Sequence, residues 1–390
     1  MREPTPPRDH SLDGLRGVAA LVVVVHHTLL ASAAAVDPYQ SLTVVPTSLS
    51  WLVYTPLHLL YGGGEAVIVF FVLSGYVLTL SARRPMAWGS YYVRRALRLY
   101  LPVWGALVFA ALAIMIVPRH AQPNLNWWLN MHDHPIRGRD LVGDTTLVTQ
   151  TPGALNPVLW SLQWEVLFSA ALPLYLLVAH LLRRVPAVIP MLGLIGVLAL
   201  GVHEAKDYLV ALPVFGFGVL LAQHRDQLVH WRTWLHSGLA SAIGFGAAAV
   251  LLTARWTTAW WVSEDPGRSP QVIGYATAVG PALGATLLVA LTVGGARWRG
   301  WLETRPAQWL GTRSFSLYLV HEPIVVSVAL LAGGFRPGTA LLGMALALLA
   351  AEGFFRLVER PSLRLSRWSG RRVARREQGR PWVPAGVTAP

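Results

Sequence analysis

An arginine and a histidine share one stripe of the first apolar segment. Arg16 closes Leu12-Asp13-Gly14-Leu15-Arg16, and His27 ends Val22-Val23-Val24-Val25-His26-His27. At about 100° per residue this spacing leaves the two side chains within roughly 20° of each other and about 16 Å apart along a helix axis. Asp13 lies one turn before Arg16 on the same stripe. A guanidinium near the middle of a bilayer costs on the order of 2.5–3.5 kcal/mol even on lenient scales, so the stripe is expected to face protein or water. A neutral imidazole accepts a proton from a hydroxyl near pH 7, which makes His27 the leading general-base candidate. The competing reading is a histidine hydrogen-bonded to a neighbouring helix. His26 points about 100° away and reads as structural.

Other segments carry polar groups where an apolar span gives them no evident purpose. Arg83, Arg84, Tyr91, Arg94, Arg95, Arg98 and Pro102 mark a basic cluster at a helix start. Guanidinium forks match phosphate oxygens. Arg98, followed by Leu99-Tyr100-Leu101-Pro102, would enter the bilayer and suits a bound phosphate. Trp160-Ser161-Leu162-Gln163-Trp164-Glu165 opens a later span with Ser161 and Glu165 one turn apart. A carboxylate there needs a cation or a proton, so Glu165 could orient His27, pair with an arginine, or act as a neutral donor. Further on, Tyr318 and His321 share a face before the bend expected at Pro323, and Glu352 and Glu359-Arg360-Pro361 read as structural pairs or a helix stop. Ser74-Gly75 are small residues that permit close helix approach or ligand entry. No Gly-x-Ser-x-Gly elbow accompanies Ser74, so it is not expected to be a nucleophile. No metal-binding motif such as His-Glu-x-x-His occurs, and no metal is expected.

The elements that must position these residues are membrane helices. The 390-residue chain is 54% hydrophobic and 13% charged, against roughly 25% charged in an ordinary soluble domain. Apolar runs recur near 15–36, 64–82, 97–117, 158–182, 186–202, 207–222, 236–254, 275–295, 314–333 and 338–358. The expected fold is therefore all-α, a polytopic bundle of about ten transmembrane helices. The net charge of +13 would suggest nucleic acid in a soluble chain, but 24 of the 32 basic residues fall in the segments on the side of the amino terminus and 7 on the other. That asymmetry predicts cytoplasmic termini and no nucleic-acid partner. Residues 1–361 read as one membrane domain and 362–390 as a basic, largely disordered cytoplasmic tail whose arginines lie against anionic headgroups. The absence of cysteine excludes disulfides, thiolate catalysis and thiolate-bound metals. The first segment is too long and too polar for a signal peptide and is expected to be retained. The loop 118–157, with Trp127, Trp128, His132, Asp133, His134, Asp140, Asp144 and Asn156, suits either a sugar-like acceptor or an interfacial aromatic belt.

Taken in order, these pieces resemble the membrane-bound acyltransferase family 3. The resemblance runs from Leu12-Asp13-Gly14-Leu15-Arg16 and His27 through Phe70-Phe71-Val72-Leu73-Ser74-Gly75-Tyr76, Arg94-Arg95, Arg98 and Pro102. It continues over Trp160-Ser161-Leu162 and Glu165 to Ser316-Leu317-Tyr318-Leu319-Val320-His321, Pro323 and Glu359-Arg360-Pro361. It implies ten membrane helices, an acyl-coenzyme A co-substrate (acetyl-coenzyme A expected) arriving from the cytoplasm, no permanently bound cofactor, and His27 as catalytic histidine with Arg16 as companion. Together with the residue patterns it assigns Glu165 to catalysis, Arg94, Arg95, Arg98, Ser74 and Tyr76 to the donor, and Trp160, Ser161, Tyr318 and His321 to the acceptor. The acceptor is expected to be a hydroxyl-bearing glycan or small molecule, and the location a plasma membrane, with a bacterial inner membrane expected. Relatives commonly carry an aspartate before the Phe-Phe pair, where this chain has Val67-Ile68-Val69, and Glu65 is a candidate substitute. The extracytoplasmic hydrolase-like domain fused to some members is not expected here, which leaves the direction and final acceptor of transfer open. A multi-pass transporter or proton-coupled carrier is the alternative, since such relays also use intramembrane Arg, His and Glu. The inverted repeats that would favour it are not evident.

Overall fold

The computed structural model describes residues 9–40, 45, 47–82, 87–149, 152–230, 237–263, 270–295 and 297–378, and all regular structure among them is helical. The principal helices are α1 (His10–Leu30), α2 (Gly63–Ala82), α3 (Trp88–Ile116), α4 (Trp160–Leu181) and α5 (Val188–His203). They continue with α6 (Asp207–Gln223), α7 (Gly238–Leu252), α8 (Pro270–Val293), α9 (Arg305–Leu331), α10 (Pro337–Phe354) and α11 (Arg360–Gln378). Seven helical segments are long and apolar enough to cross a membrane, and three shorter apolar helices, α5 to α7, accompany them. The chain is a multi-pass membrane protein.

Local chemistry sets several boundaries away from the apolar runs. α1 begins at His10 because the Asp9 carboxylate accepts from the Ser11 backbone N–H at 3.2 Å, satisfying one of the donors left open at a helix start. α3 begins at Trp88, well before its apolar run, since arginine is a good helix former whatever its polarity.

The expected disordered tail is corrected more substantially. α10 passes through a π turn, Phe355–Glu359, directly into α11, so residues 362–378 are helical. Residues 379–390 lie outside the described residues. Pro361 lacks the N–H that an uninterrupted helix would use, and the π turn falls just before it. α11 is held because α3 supplies partners: Ser90 donates to Gly370 O at 2.7 Å, Ser366 donates to Arg94 O at 2.9 Å, and Gly89 N–H donates to the Glu377 carboxylate at 2.9 Å.

Two close helix crossings organise the core. α1 and α9 run parallel: a Cβ on Gly17 would lie 2.5 Å from Gly311 N, and one on Gly311 would lie 2.2 Å from Asp13 O. The same offset of 294 residues brings His27 to His321. α2 and α6 meet at Gly75 and Gly218, where added Cβ atoms would each fall 2.1 Å from a carbonyl oxygen of the other helix. Only residues without a side chain permit such backbone contact.

Candidate active site

A cavity of about 250 Å³ opens between α1, α2, α3, α4, α9 and the π turn. Its polar wall is built from Asp13 and Arg16 of α1, Ser74 of α2, Arg95 and Arg98 of α3, Ser161 and Glu165 of α4, Thr312, Ser314 and Tyr318 of α9, and Glu359. Val67, Phe70, Phe71, Leu162 and Phe315 form the apolar wall. The cavity is thus lined by three guanidiniums and three carboxylates, with an apolar side suited to a chain that is not charged throughout.

These charges differ in what they are free to do. The Arg95 guanidinium donates to Glu165 at 2.6 Å and to Ser169 at 2.8 Å. Glu165 also accepts from Ser74 at 3.1 Å. Of the three roles open to Glu165, the ion pair is the one found, and it makes no hydrogen bond to His27. Arg98 has no hydrogen bond or ion pair among the described residues, and it lines the cavity. Glu359 is held by Ser316, whose N–H and hydroxyl both donate to one carboxylate oxygen at 3.1 and 2.5 Å. The π turn brings Phe355, Glu359 and Leu363 to the cavity wall, in keeping with the tendency of such turns to occur at functional sites.

The cavity lining ends at a hydrogen-bonded pair, Ser161 and Tyr318, whose hydroxyls are 2.6 Å apart. Tyr318 also donates to Val158 O at 3.0 Å. One turn further along α9, the His321 ring lies 6.0 Å from that of Tyr318 between centroids. His321 is fully buried, and its Nε2 is 3.2 Å from His27 Nδ1. His27 therefore faces protein: its ring contacts those of His26 at 5.0 Å, Trp128 at 6.1 Å and His321 at 4.9 Å. Beyond it, His132 packs on Trp128 and approaches the Glu322 carboxylate at 3.5 Å. A file of polar side chains thus runs from the arginine cavity to the connection between α3 and α4.

Several expected site residues lie elsewhere. Arg94 sits outside the cavity lining, bonded to Ser90 O and packed under Gly370 of α11. Tyr76 is buried in the apolar core, and Trp160 is exposed at the start of α4. His321 contacts His27 rather than the cavity. Glu65 accepts from Trp256 Nε1 at 2.9 Å in a separate buried group and does not reach the cavity. Arg83 and Arg84 lie outside the described residues. Asp144 and Asn156 of the polar loop are structural: Asp144 accepts from the N–H groups of Gly153, Ala154 and Leu155, and Asn156 donates to Leu319 O. Glu359 and Thr312 were not singled out for the site. An acidic residue at the end of an apolar run was the available signal for Glu359, but a helix stop leaves the same pattern. Among the described residues no group of three or more His, Cys, Asp or Glu could hold a metal ion.

The family of acyltransferase domains, acyltransferase 3, matches residues 9–352. The chain belongs to this family. It is 25% identical to O-acetyltransferase PaAT-1 of Phomopsis amygdali, over 94% of this chain and 85% of that protein. It is 24% identical to acyltransferase clz18 of Cochliobolus lunatus, over 90% and 93%. Acyltransferase MdmB of Streptomyces mycarofaciens is 28% identical over 45% of this chain and 40% of its own length. No solved structure matches. The protein is a membrane acyltransferase, and the matched span contains every cavity residue except Phe355, Glu359 and Leu363.

Proposed function

We propose that this protein transfers an acyl group, acetyl in the first instance, from acyl-coenzyme A to a hydroxyl of a glycan or small natural product. The observation that carries this reading is the continuous file from the Arg98 cavity through Ser161 and Tyr318 to His321 and His27. Arg98, with Arg16 beside it, receives the donor's phosphates, and the apolar wall takes its less polar arm. The Ser161–Tyr318 pair stands between the cavity and the histidines, so the thioester meets His27 only after this pair parts. His27 removes the acceptor's proton, the oxygen attacks the thioester carbonyl, the carbon–sulfur bond breaks, and the thiolate recovers the proton from His27. Ser161 or Arg16 would stabilise the oxyanion.

The arginine distribution supports cytoplasmic termini, and the cavity lies toward the starts of α1 and α9, so the donor enters from the cytoplasm. The acceptor then approaches from the opposite side, where Trp128 packs beside His27 and His132 packs on Trp128. A plasma membrane, a bacterial inner membrane in the first instance, is the proposed location. Membership of an acyltransferase family weighs against a proton-coupled carrier. The test is transfer of label from acetyl-coenzyme A to a panel of hydroxyl acceptors by the purified protein. His27→Ala should lose transfer while remaining folded. Equal rates in both proteins would overturn the reading.

A further inference from the structure

The two facing histidines constrain each other's protons. His27 Nδ1 lies 3.0 Å from Val23 O, and His321 Nδ1 lies 3.0 Å from Leu317 O, each the carbonyl one turn earlier in its own helix. A carbonyl oxygen only accepts, so each Nδ1 must carry the hydrogen, since the alternative opposes two lone pairs at hydrogen-bonding distance. With Nδ1 protonated, the neutral His321 ring presents a bare lone pair at Nε2, directed at His27 Nδ1 from 3.2 Å. The reverse polarity would require N–H groups on both nitrogens of His321. That would make it a cation in a fully buried position, facing another ring nitrogen.

From this geometry we infer that His321 is a positioning residue: its Nε2 and Val23 O share the Nδ1–H of His27, which fixes the tautomer whose reactive atom is Nε2. His27 Nε2 makes no hydrogen bond among the described residues, so its lone pair is available. The inference rests on the acyl-transfer reading for its chemistry and supplies what that reading lacks, the identity of the atom that takes the proton. During transfer, the acceptor O–H bond breaks as the Nε2–H bond forms. The positive charge that His27 then carries is shared through Nδ1–H with the lone pair of His321. When the carbon–sulfur bond breaks, the Nε2 proton passes to the thiolate sulfur and His27 returns to its starting form. Among the described residues no carboxylate is hydrogen-bonded to the His27 ring, the buried Glu322 acting on it only through space, so a second imidazole does the orienting that an acidic residue performs in serine-hydrolase triads.

Two measurements test this. Nitrogen NMR of the full-length protein with ring-labelled histidine, without substrates, reads the tautomer, the His27 signals being those lost in His27→Asn. Nε2 of His27 should give the signature of an unprotonated ring nitrogen. The second measurement is acyl transfer by His321→Gln and His321→Leu. The glutamine oxygen can accept from Nδ1–H near the position of the lost Nε2, whereas leucine cannot. His321→Leu should lower kcat by roughly a hundredfold or more, the scale of general-base catalysis, with little change in KM for acyl-coenzyme A because His321 does not line the cavity. His321→Gln should recover most of that loss. A protonated Nε2 on His27 in the wild-type protein overturns the inference without any variant having to fold. So does a folded His321→Leu protein whose kcat stays within threefold of wild type. If His27→Ala still transfers, the acyl-transfer role of His27 fails instead, and the tautomer read by NMR stands or falls by itself.

Discussion

Replacing Arg98 by alanine separates the three arginines that the sequence groups together. Arg95 spends its guanidinium on Glu165 at 2.6 Å and Ser169 at 2.8 Å, and Arg94 lies outside the cavity, whereas Arg98 faces the cavity with no partner among the described residues. A hydrogen bond to a charged group contributes about 1.5–3 kcal/mol. At about 1.4 kcal/mol per factor of ten, loss of one such bond to a donor phosphate weakens binding by about ten- to hundredfold. Arg98→Ala should therefore raise the Kd for acyl-coenzyme A by that factor and leave folding intact, since no internal bond is broken. Arg95→Ala should behave oppositely. It removes the ion-pair partner of the mostly buried Glu165 carboxylate, leaving it the Ser74 hydroxyl and the nearby Arg16 charge, and breaking a buried ion pair costs about 3–5 kcal/mol. Arg94→Ala should leave donor binding near wild type. Calorimetric titration of each purified variant with acetyl-coenzyme A, alongside thermal unfolding, gives both quantities. The reasoning is refuted if Arg98→Ala binds within twofold of wild type while a folded Arg95→Ala loses tenfold or more.

Other outcomes follow from the same geometry. Gly311→Val should prevent the α1–α9 crossing, because even its Cβ would lie 2.2 Å from Asp13 O; the expected result is loss of a monodisperse, thermally cooperative protein on size-exclusion and melting analysis. Glu359→Gln keeps an acceptor for Ser316 but removes a negative charge from the cavity, so affinity for the anionic donor should rise, and a fall in the same titration would count against a phosphate site there. His58, between α1 and α2, is fully buried and stacked on Trp256 at 4.0 Å, and burial, aided by the Arg255 charge, pushes it down to about 3. Its folded form is lowered, so its contribution is intact above the unfolded value near 6.5 and is lost as pH falls toward about 3. Between pH 6.5 and 5 that amounts to about 2 kcal/mol. Melting temperatures should decline less steeply over this range in His58→Phe than in wild type, and parallel curves would show that His58 is not the titrating group.

The arginine–histidine stripe was readable without coordinates because helical periodicity is a local property: Arg16 and His27 both turn toward α9, one to the cavity and the other to His321. The pairing of Ser161 with Glu165 along one wall of α4 follows from the same rule. Apolar run length likewise marked the helices, since a spanning segment must satisfy its own backbone hydrogen bonds wherever it lies. Partner choice was a different matter. Nothing local distinguishes Arg94, Arg95 and Arg98, and only the packing of α3 between α4 and α11 assigns one to an ion pair, one to the periphery and one to the cavity. Glu165 and His321 each had more than one chemically sensible role. The arrival of Arg95 at the carboxylate and of His27 at the imidazole chose between them, through contacts separated by 70 and 294 residues. Glu359 faces the cavity through a π turn and Ser316, and α11 is ordered by hydrogen bonds to α3, features that periodicity within one segment does not encode. Spacing sets the direction of a side chain from its own helix axis, and only the packing of the other helices decides what stands in that direction.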